Sequence, residues 1–325
     1  MKTALAFPIS FIALHFALSV AQAQVAYSYT TIDFPASTAT QSAAVADDGQ
    51  IVGTYSNGSI LQSFLRTTAG NYATLTVPGS PETIASGINA AGTIVGIYRG
   101  NPNYLGFVRS PTGSYTTLEV PGSLNTEARG INNSGAIVGD YAEGPMFTEH
   151  GFLRSVSGAF ATLDFPGAAA TYAYGVNAGE QIVGLYSDGT NFHSFLRSAP
   201  GNYITLNYPG STETVGLGIN DAGVIVGAYL AINGSSHGFI RSPQGAYSTL
   251  DFPGALSTSA AGINNLGQIV GWYDVPNHEY GFLATPVPEP GALVLCAIGA
   301  CATGPSIRHR RRVRVVSRRR NVRIS

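Results

Sequence analysis

Short apolar runs, rich in Val, Ile, Thr, Tyr and Phe, alternate with clusters of Gly, Asn, Asp, Ser and Pro along most of the chain. Runs of this length, bounded by turn residues, predict strands. The pattern then repeats. Aligned on "IVG", the copies begin at Ile51, Ile94, Ile137, Ile182, Ile225 and Ile269, with separations of 43, 43, 45, 43 and 44 residues. A Tyr closes each copy (Tyr55, Tyr98, Tyr141, Tyr186, Tyr229, Tyr273), and a Thr follows five residues after each strand-ending Pro (Thr40, Thr83, Thr126, Thr171, Thr214, Thr258). Columns that recur in every copy are scaffold, because each copy solves the same packing problem. A fixed period of this size marks a solenoid or a propeller.

Each unit holds four predicted strands, typified by "ARGIN", "AIVGDY", "HGFLRS" and "FATLDF". The first two are joined by Asn-x-x-Gly, a tight hairpin turn. Four antiparallel strands per unit make one propeller blade. The ends choose between ring and rod. The chain opens with a lone fourth-type strand, "YSYTTIDF" (27–34), and its last unit lacks one after "YGFLA" (280–284). The first segment can complete the last unit, whereas an open solenoid would leave both edges unpaired. The expected fold is all-β, a six-bladed β-propeller over 24–286 closed by its N-terminal strand.

Composition sharpens this. Charged residues are 11% of the 325, and Gly numbers 40, a profile suited to a β-rich extracellular domain. The net charge of −1 hides an asymmetry. Nine arginines lie at or after Arg308, and within 24–286 seven arginines face 17 carboxylates. A body this acidic repels phosphate backbones, so nucleic acid is excluded as a partner.

The start reads as a signal peptide over 1–23. Lys2 is its positive end, "ALAFPISFIALHFALSV" its apolar stretch, and "AQA" its cleavage site. The other end carries "VPEP" (287–290), an apolar stretch over 291–307 at the short limit for a membrane helix, and an arginine cluster to 312 that stays cytoplasmic. A basic tail follows over 313–325. Cys296 and Cys301 lie in the apolar stretch, so a domain without cysteine must be held by packing and sheet hydrogen bonds.

Two resemblances follow from these residues. "HGFLRS", "GINxxGxIVGxY" and "LDFPGA" resemble HAF-type bacterial extracellular repeats across 27–284, although "QSF", "LGF" and "YGF" replace the His motif in units 1, 2 and 6. That resemblance implies export and a repeat scaffold, and no activity. The segment 287–312 is similar to a PEP-CTERM sorting signal. It implies recognition at Pro288, Glu289 and Pro290 by an exosortase-type membrane transpeptidase, transient membrane association through 291–307, and delivery to the cell surface or extracellular matrix.

Sites are expected where copies differ. The links between second and third strands are long and variable, so that face is the candidate binding surface. On the first strands, units 3 and 4 alone place charge and aromatics at the variable positions: Glu127 and Arg129, Tyr172 and Tyr174, with Asp140, Glu149 and His150 in the same sector. Tyr faces beside carboxylates and Arg suit a sugar, through stacking and directional hydrogen bonds. A Glu127–Arg129 salt bridge with Tyr packing is the competing reading. His150, His193 and His237 share one column, but a strand this far from the axis holds them too far apart for one metal, so loop anchoring is expected. Arg66, Arg109, Arg154, Arg197 and Arg241 are expected to pair with acidic or carbonyl groups, and Trp272 to pack within its blade. No cofactor motif is present. Three functions stay open: a non-catalytic binder of polysaccharide or protein, a purely structural matrix protein, and a polysaccharide glycosidase or lyase. The last needs paired acids, for which Glu127 with Asp140 is the candidate.

Overall fold

The structure, a computed structural model, describes residues 25–58, 61–199 and 201–288. Among them are strands and turns and no α-helix. Tyr27–Pro286 forms one compact unit. A second unit, Met1–Ala26 with Val287–Ser325, falls almost wholly outside the described residues. So do the expected signal peptide (1–23), Glu289, Pro290, the apolar stretch 291–307 and the tail 313–325; Pro288 is the last residue described.

Strand β1 (Tyr27–Ile32) comes first. Then β2 (Ala39–Val45), β3 (Ile51–Ser56), β4 (Leu61–Arg66) and β5 (Tyr72–Leu75) pair in chain order. The same order recurs in β6 (Thr83–Ile88), β7 (Ile94–Arg99), β8 (Tyr104–Arg109) and β9 (Tyr115–Leu118). It recurs in β10 (Asn125–Ile131), β11 (Ile137–Glu143), β12 (Thr148–Arg154) and β13 (Phe160–Leu163). Next come β14 (Ala170–Val176), β15 (Ile182–Ser187), β16 (Phe192–Ala199) and β17 (Asn202–Leu206), and then β18 (Ser211–Ile219), β19 (Ile225–Ala231), β20 (Ser236–Arg241) and β21 (Tyr247–Leu250). The final group is β22 (Ser257–Ile263), β23 (Ile269–Val275) and β24 (His278–Pro286). Its fourth place is taken by β1, antiparallel to β24 from Tyr27↔Pro286 to Ile32↔Gly281. One parallel bridge, Ala39↔Glu279, joins this group to β2. The first strands β2, β6, β10, β14, β18 and β22 all line one shared cavity of about 80 Å³.

The recurrent phrase is a packing solution. Its Ile and Val are buried, and beneath them lie the fully buried Phe64, Phe107, Phe152, Phe195, Phe239 and Phe282. Its Gly is forced by close approach. A Cβ at Gly139 would lie 1.9 Å from the Glu127 carbonyl oxygen and 2.9 Å from the Phe152 ring. The equivalent glycines, Gly53, Gly96, Gly184, Gly227 and Gly271, meet the neighbouring first-strand carbonyl at 1.9–2.0 Å. Beside this contact each first strand bulges, for example between Ala128 and Gly130, so one residue is left out of the ladder.

The other constant columns supply hydrogen bonds. The Thr126 Oγ1 accepts the Val120 N–H at 3.0 Å, and Thr40, Thr83, Thr171, Thr214 and Thr258 accept the equivalent N–H in their copies. The Tyr141 hydroxyl bonds to Thr162 Oγ1 at 3.1 Å, tying the second strand to the fourth. In the last group this partner is Thr31 of β1, 2.9 Å from Tyr273 Oη. The turn asparagines link the groups in series. Asn89 Nδ2 donates to the Asn132 carbonyl, Asn132 to Asn177, Asn177 to Asn220, Asn220 to Asn264, and Asn264 to Ala46, at 3.0–3.2 Å. The expected carbonyl pairing of the recurrent arginines is present at Arg109 and Arg241, whose Nη1 groups donate to the Ser110 and Ser242 carbonyls at 3.5 Å, and a ring contact is added to it. The guanidinium groups of Arg66, Arg109 and Arg241 lie over Tyr72, Tyr115 and Tyr247 at 5.7–5.9 Å, because the fourth strand presents a ring opposite each.

Gly139→Ala is expected to cost about 1–3 kcal/mol through overpacking of β10 and Phe152. Urea unfolding followed by circular dichroism measures it; an unchanged midpoint would show that β10 and β11 can separate freely.

Candidate functional site

The bulge that shapes every first strand also sets the site. The unpaired residues are Ala43, Ser86, Arg129, Tyr174, Leu217 and Ala261, and all of them line the shared cavity. Four are small or aliphatic. Arg129 and Tyr174, on the neighbouring β10 and β14, concentrate charge and aromatic surface in one sector.

Register places the charges. Glu127 on β10 pairs with Asp140 on β11, and Arg129 reaches both. Its Nε donates to Asp140 Oδ1 at 2.5 Å and its Nη2 to Glu127 Oε2 at 2.6 Å. The guanidinium lies 5.2 Å from the Tyr174 ring centroid, so Tyr174 is a packing partner. The Asp140 side chain is 3% exposed, against 28% for Arg129 and 25% for Glu127. Burial opposes charge on Arg129, but Asp140 beside it outweighs that and holds its pKa above the ordinary value. For Asp140 burial is the larger influence. It raises the carboxyl to about 6, with Glu127 adding to the rise and Arg129 working against it. The pair is thus unequal: the cation is secured, while the acid sits near its protonation point.

Glu149 on β12 stands opposite Ala142 and is half-buried. Burial, then the charges of Asp140 and Glu127, push its carboxyl up to about 7. Tyr172 on β14 is also raised, first by burial and then by Glu149. Its ring lies 6.1 Å from that of Phe192. The structure therefore gathers Glu127, Arg129, Asp140 and Tyr174 in direct contact, with Glu149 and Tyr172 within electrostatic reach. His150 is committed elsewhere. Its Nδ1 lies 2.9 Å from Asp164 Oδ2, and its ring stacks on Tyr141 at 5.4 Å. His237 meets Asp251 in the same way at 2.8 Å, and His193 meets Asp188 at 3.0 Å. Each His thus anchors a loop. Among the described residues no group of three His, Cys, Asp or Glu is placed to hold a metal. At the other end of the cavity Asp47 and Asp221 are already engaged by Asn133 and Asn265. Trp272 is half-buried on β23, opposite Ser259.

Sequence reasoning passed over Phe192, which is 52% exposed, and the exposed Met146, Phe147 and Ile232. Met146, Phe147 and Ile232 stand in the second-to-third-strand links of units 3 and 5, and Phe192 opens β16 directly after the link of unit 4. Large apolar residues inside the otherwise polar "AEGPMFTEHG", "SDGTNFHS" and "LAINGSSHG" are the signal that would have found them.

No known protein family matches this chain, and no curated protein does. Solved structures do. TolB from Acinetobacter baumannii is 12% identical with a TM-score of 0.52, over 70% of this chain and 60% of that one. An oligogalacturonate lyase from Vibrio parahaemolyticus is 9% identical with a TM-score of 0.50, over 82% and 98%. A calcium-binding protein, regucalcin, from Agrobacterium tumefaciens is 12% identical with a TM-score of 0.50, over 80% and 94%. At these identities the likeness is one of fold, and the chain is an all-β, propeller-like protein.

The pH dependence of stability follows from the two raised carboxyls. Both bind protons more tightly folded than unfolded, so their contribution to stability falls as pH rises from about 4 to about 7. Calorimetry is expected to show a smaller loss of melting temperature between about pH 5 and about pH 7.5 in Asp140→Asn/Glu149→Gln than in the unaltered chain. An equal loss would mean that neither carboxyl is perturbed.

Proposed function

We propose that this chain is an exported, six-bladed β-propeller of the cell surface or extracellular matrix. It binds extracellular polysaccharide through the sector formed by β10, β11, β12 and β14. The observation that carries the reading is the asymmetry of the axial cavity. Among the released positions that line it, Arg129 and Tyr174 carry charge and an aromatic ring, with Glu127, Asp140, Glu149 and Tyr172 gathered beside them, where the equivalent positions are Ala43, Ser86, Leu217 and Ala261. Fixed donors and acceptors beside ring faces are what recognition of hydroxyl-rich ligands requires. Closure by β1 and the acidic body support an exported module with no nucleic-acid partner.

A second reading has one observation in its favour. Glu149, with its carboxyl raised to about 7 by burial, takes up its proton near neutrality and could donate it to a leaving oxygen. Glu127 and Asp140 are poorer candidates for a free acid pair, because Arg129 holds both. The enzyme reading therefore rests on Glu149.

Affinity electrophoresis of the full chain against the exopolysaccharide of its own producer tests the first reading. Tyr172→Ala is expected to weaken binding roughly tenfold, the upper end for one aromatic contact. Reducing ends released in the same tubes would favour the glycosidase or lyase, and their loss in Glu149→Gln would assign the donor.

Export and sorting are part of the proposal. The segment 1–23 is removed, an exosortase-type enzyme acts at Pro288, Glu289 and Pro290, and residues 291–307 engage the membrane transiently. Terminal sequencing of the secreted protein is expected to begin at Gln24. Glu289→Ala is expected to leave the chain in the membrane fraction, and its normal delivery to the surface would remove the sorting reading.

A further inference from the structure

Beyond the axial mouth, a groove of about 350 Å³ runs between the β15–β16 link and the β17–β18 link, lined among others by Asn191, Phe192, Asn207, Thr212 and Glu213. Its size lies within the range of small-molecule sites, about 300–1,000 Å³. All five of these residues are exposed. Among the described residues no hydrogen bond or ion pair engages the side-chain amides of Asn191 and Asn207 or the carboxylate of Glu213. These donors and acceptors are free for a ligand.

The aromatic wall is held in advance. The Asp188 carboxylate accepts from the N–H groups of Thr190 and Asn191, from the Thr190 hydroxyl at 2.7 Å, and from His193 Nε2 at 3.0 Å. These bonds, the Asn191 N–H foremost, keep Asp188 ionised well below the usual carboxylate range. His193 in turn packs on Tyr186 at 5.1 Å. Phe192, the first residue of β16, is therefore pinned on both sides. An exposed Phe at a fixed strand end is a stacking platform whose ordering cost is already met. The same ring stands 6.1 Å from Tyr172. Phe192 thus borders both the axial sector and the groove.

The geometry points to an extended subsite: a neutral, uncharged polysaccharide chain runs from the axial sector over Tyr172 and Phe192 into the groove beside Asn207 and Glu213. This inference rests on the polysaccharide-binding reading and adds its direction and chemical class. Charge decides the class. The groove contributes Glu213 and no Arg or Lys, its His193 is already paired with Asp188, and residues 24–286 carry ten more negative than positive charges. Within the groove a uronate or sulfated chain would meet repulsion with no Arg or Lys to offset it, and Arg129 in the axial sector is already committed to Asp140 and Glu127. Hydroxyl groups match the free amides and carboxylate, and the apolar face of a sugar ring matches Phe192.

The test is binding of the full chain to a neutral panel (dextran, laminarin, galactomannan, xyloglucan) and an acidic panel (polygalacturonate, alginate) at low salt, measured by affinity electrophoresis. Phe192→Ala and Asn207→Ala/Glu213→Gln, all at exposed positions, are compared with Tyr172→Ala, each variant checked for an unchanged melting temperature. The expected result is binding to at least one neutral chain, weakened about fivefold or more by each of the three variants, and no binding to the acidic chains. Neutral binding that falls in Tyr172→Ala but is unchanged in Phe192→Ala and Asn207→Ala/Glu213→Gln would overturn the groove and leave the axial reading standing. Acidic binding sensitive to Tyr172→Ala would overturn the ligand class alone. No binding to either panel would overturn the groove and the axial reading together.

Discussion

A missing methyl group holds this protein together. At the Gly of each second strand, an added Cβ would fall 1.9–2.0 Å from the carbonyl oxygen of the strand beside it. With hydrogen in that place, the first two strands close up and a buried Phe seals the sheet from the third strand. The same closeness accompanies the bulge of the first strand, and the bulge decides which residue is released from the ladder. Repeating one steric contact thus has two products: a stack of alike sheets, and a set of released positions that meet at a single cavity.

Those released positions are where the frame tolerates variety. Ala, Ser and Leu at most of them keep the cavity small, whereas Arg129 and Tyr174 load one side of it. Loading a near-buried site with charge is costly unless each charge is answered. Arg129 is answered by Asp140, Glu127 and the Tyr174 face, so its own charge is secure. The acids are less so: burial first, and then the surplus of carboxyls over one guanidinium, raises Asp140 and Glu149 toward taking up protons. Such perturbed groups gather at functional sites more often than elsewhere. The structural demand and the functional opportunity are here the same arrangement.

What could be read from the chain was whatever a local contact enforces in every copy. The second-strand Gly, the Thr that caps the N–H before each Pro, and the Tyr that reaches the fourth strand leave columns in the sequence. The lone opening strand could be placed because a missing partner leaves a gap in the count, and β1 fills it beside β24. The site was legible in part. Glu127 with Arg129 shows as a pair two residues apart, but the stronger commitment of Arg129 to Asp140 depends on strand register through a bulge, which has no local signature. His150 looked near the same sector, yet its partner Asp164 lies beyond the fourth strand of its own sheet. Phe192 meets Tyr172 across a link and a strand, a contact with no period to betray it.

The pairing of Tyr27 with Pro286 has a consequence for engineering. The two ends of the compact unit are neighbours, so the place where the polypeptide starts is a matter of bookkeeping on a nearly cyclic object. A short bridge between those ends, with a cut opened in another surface link, would describe the same body from a different first letter.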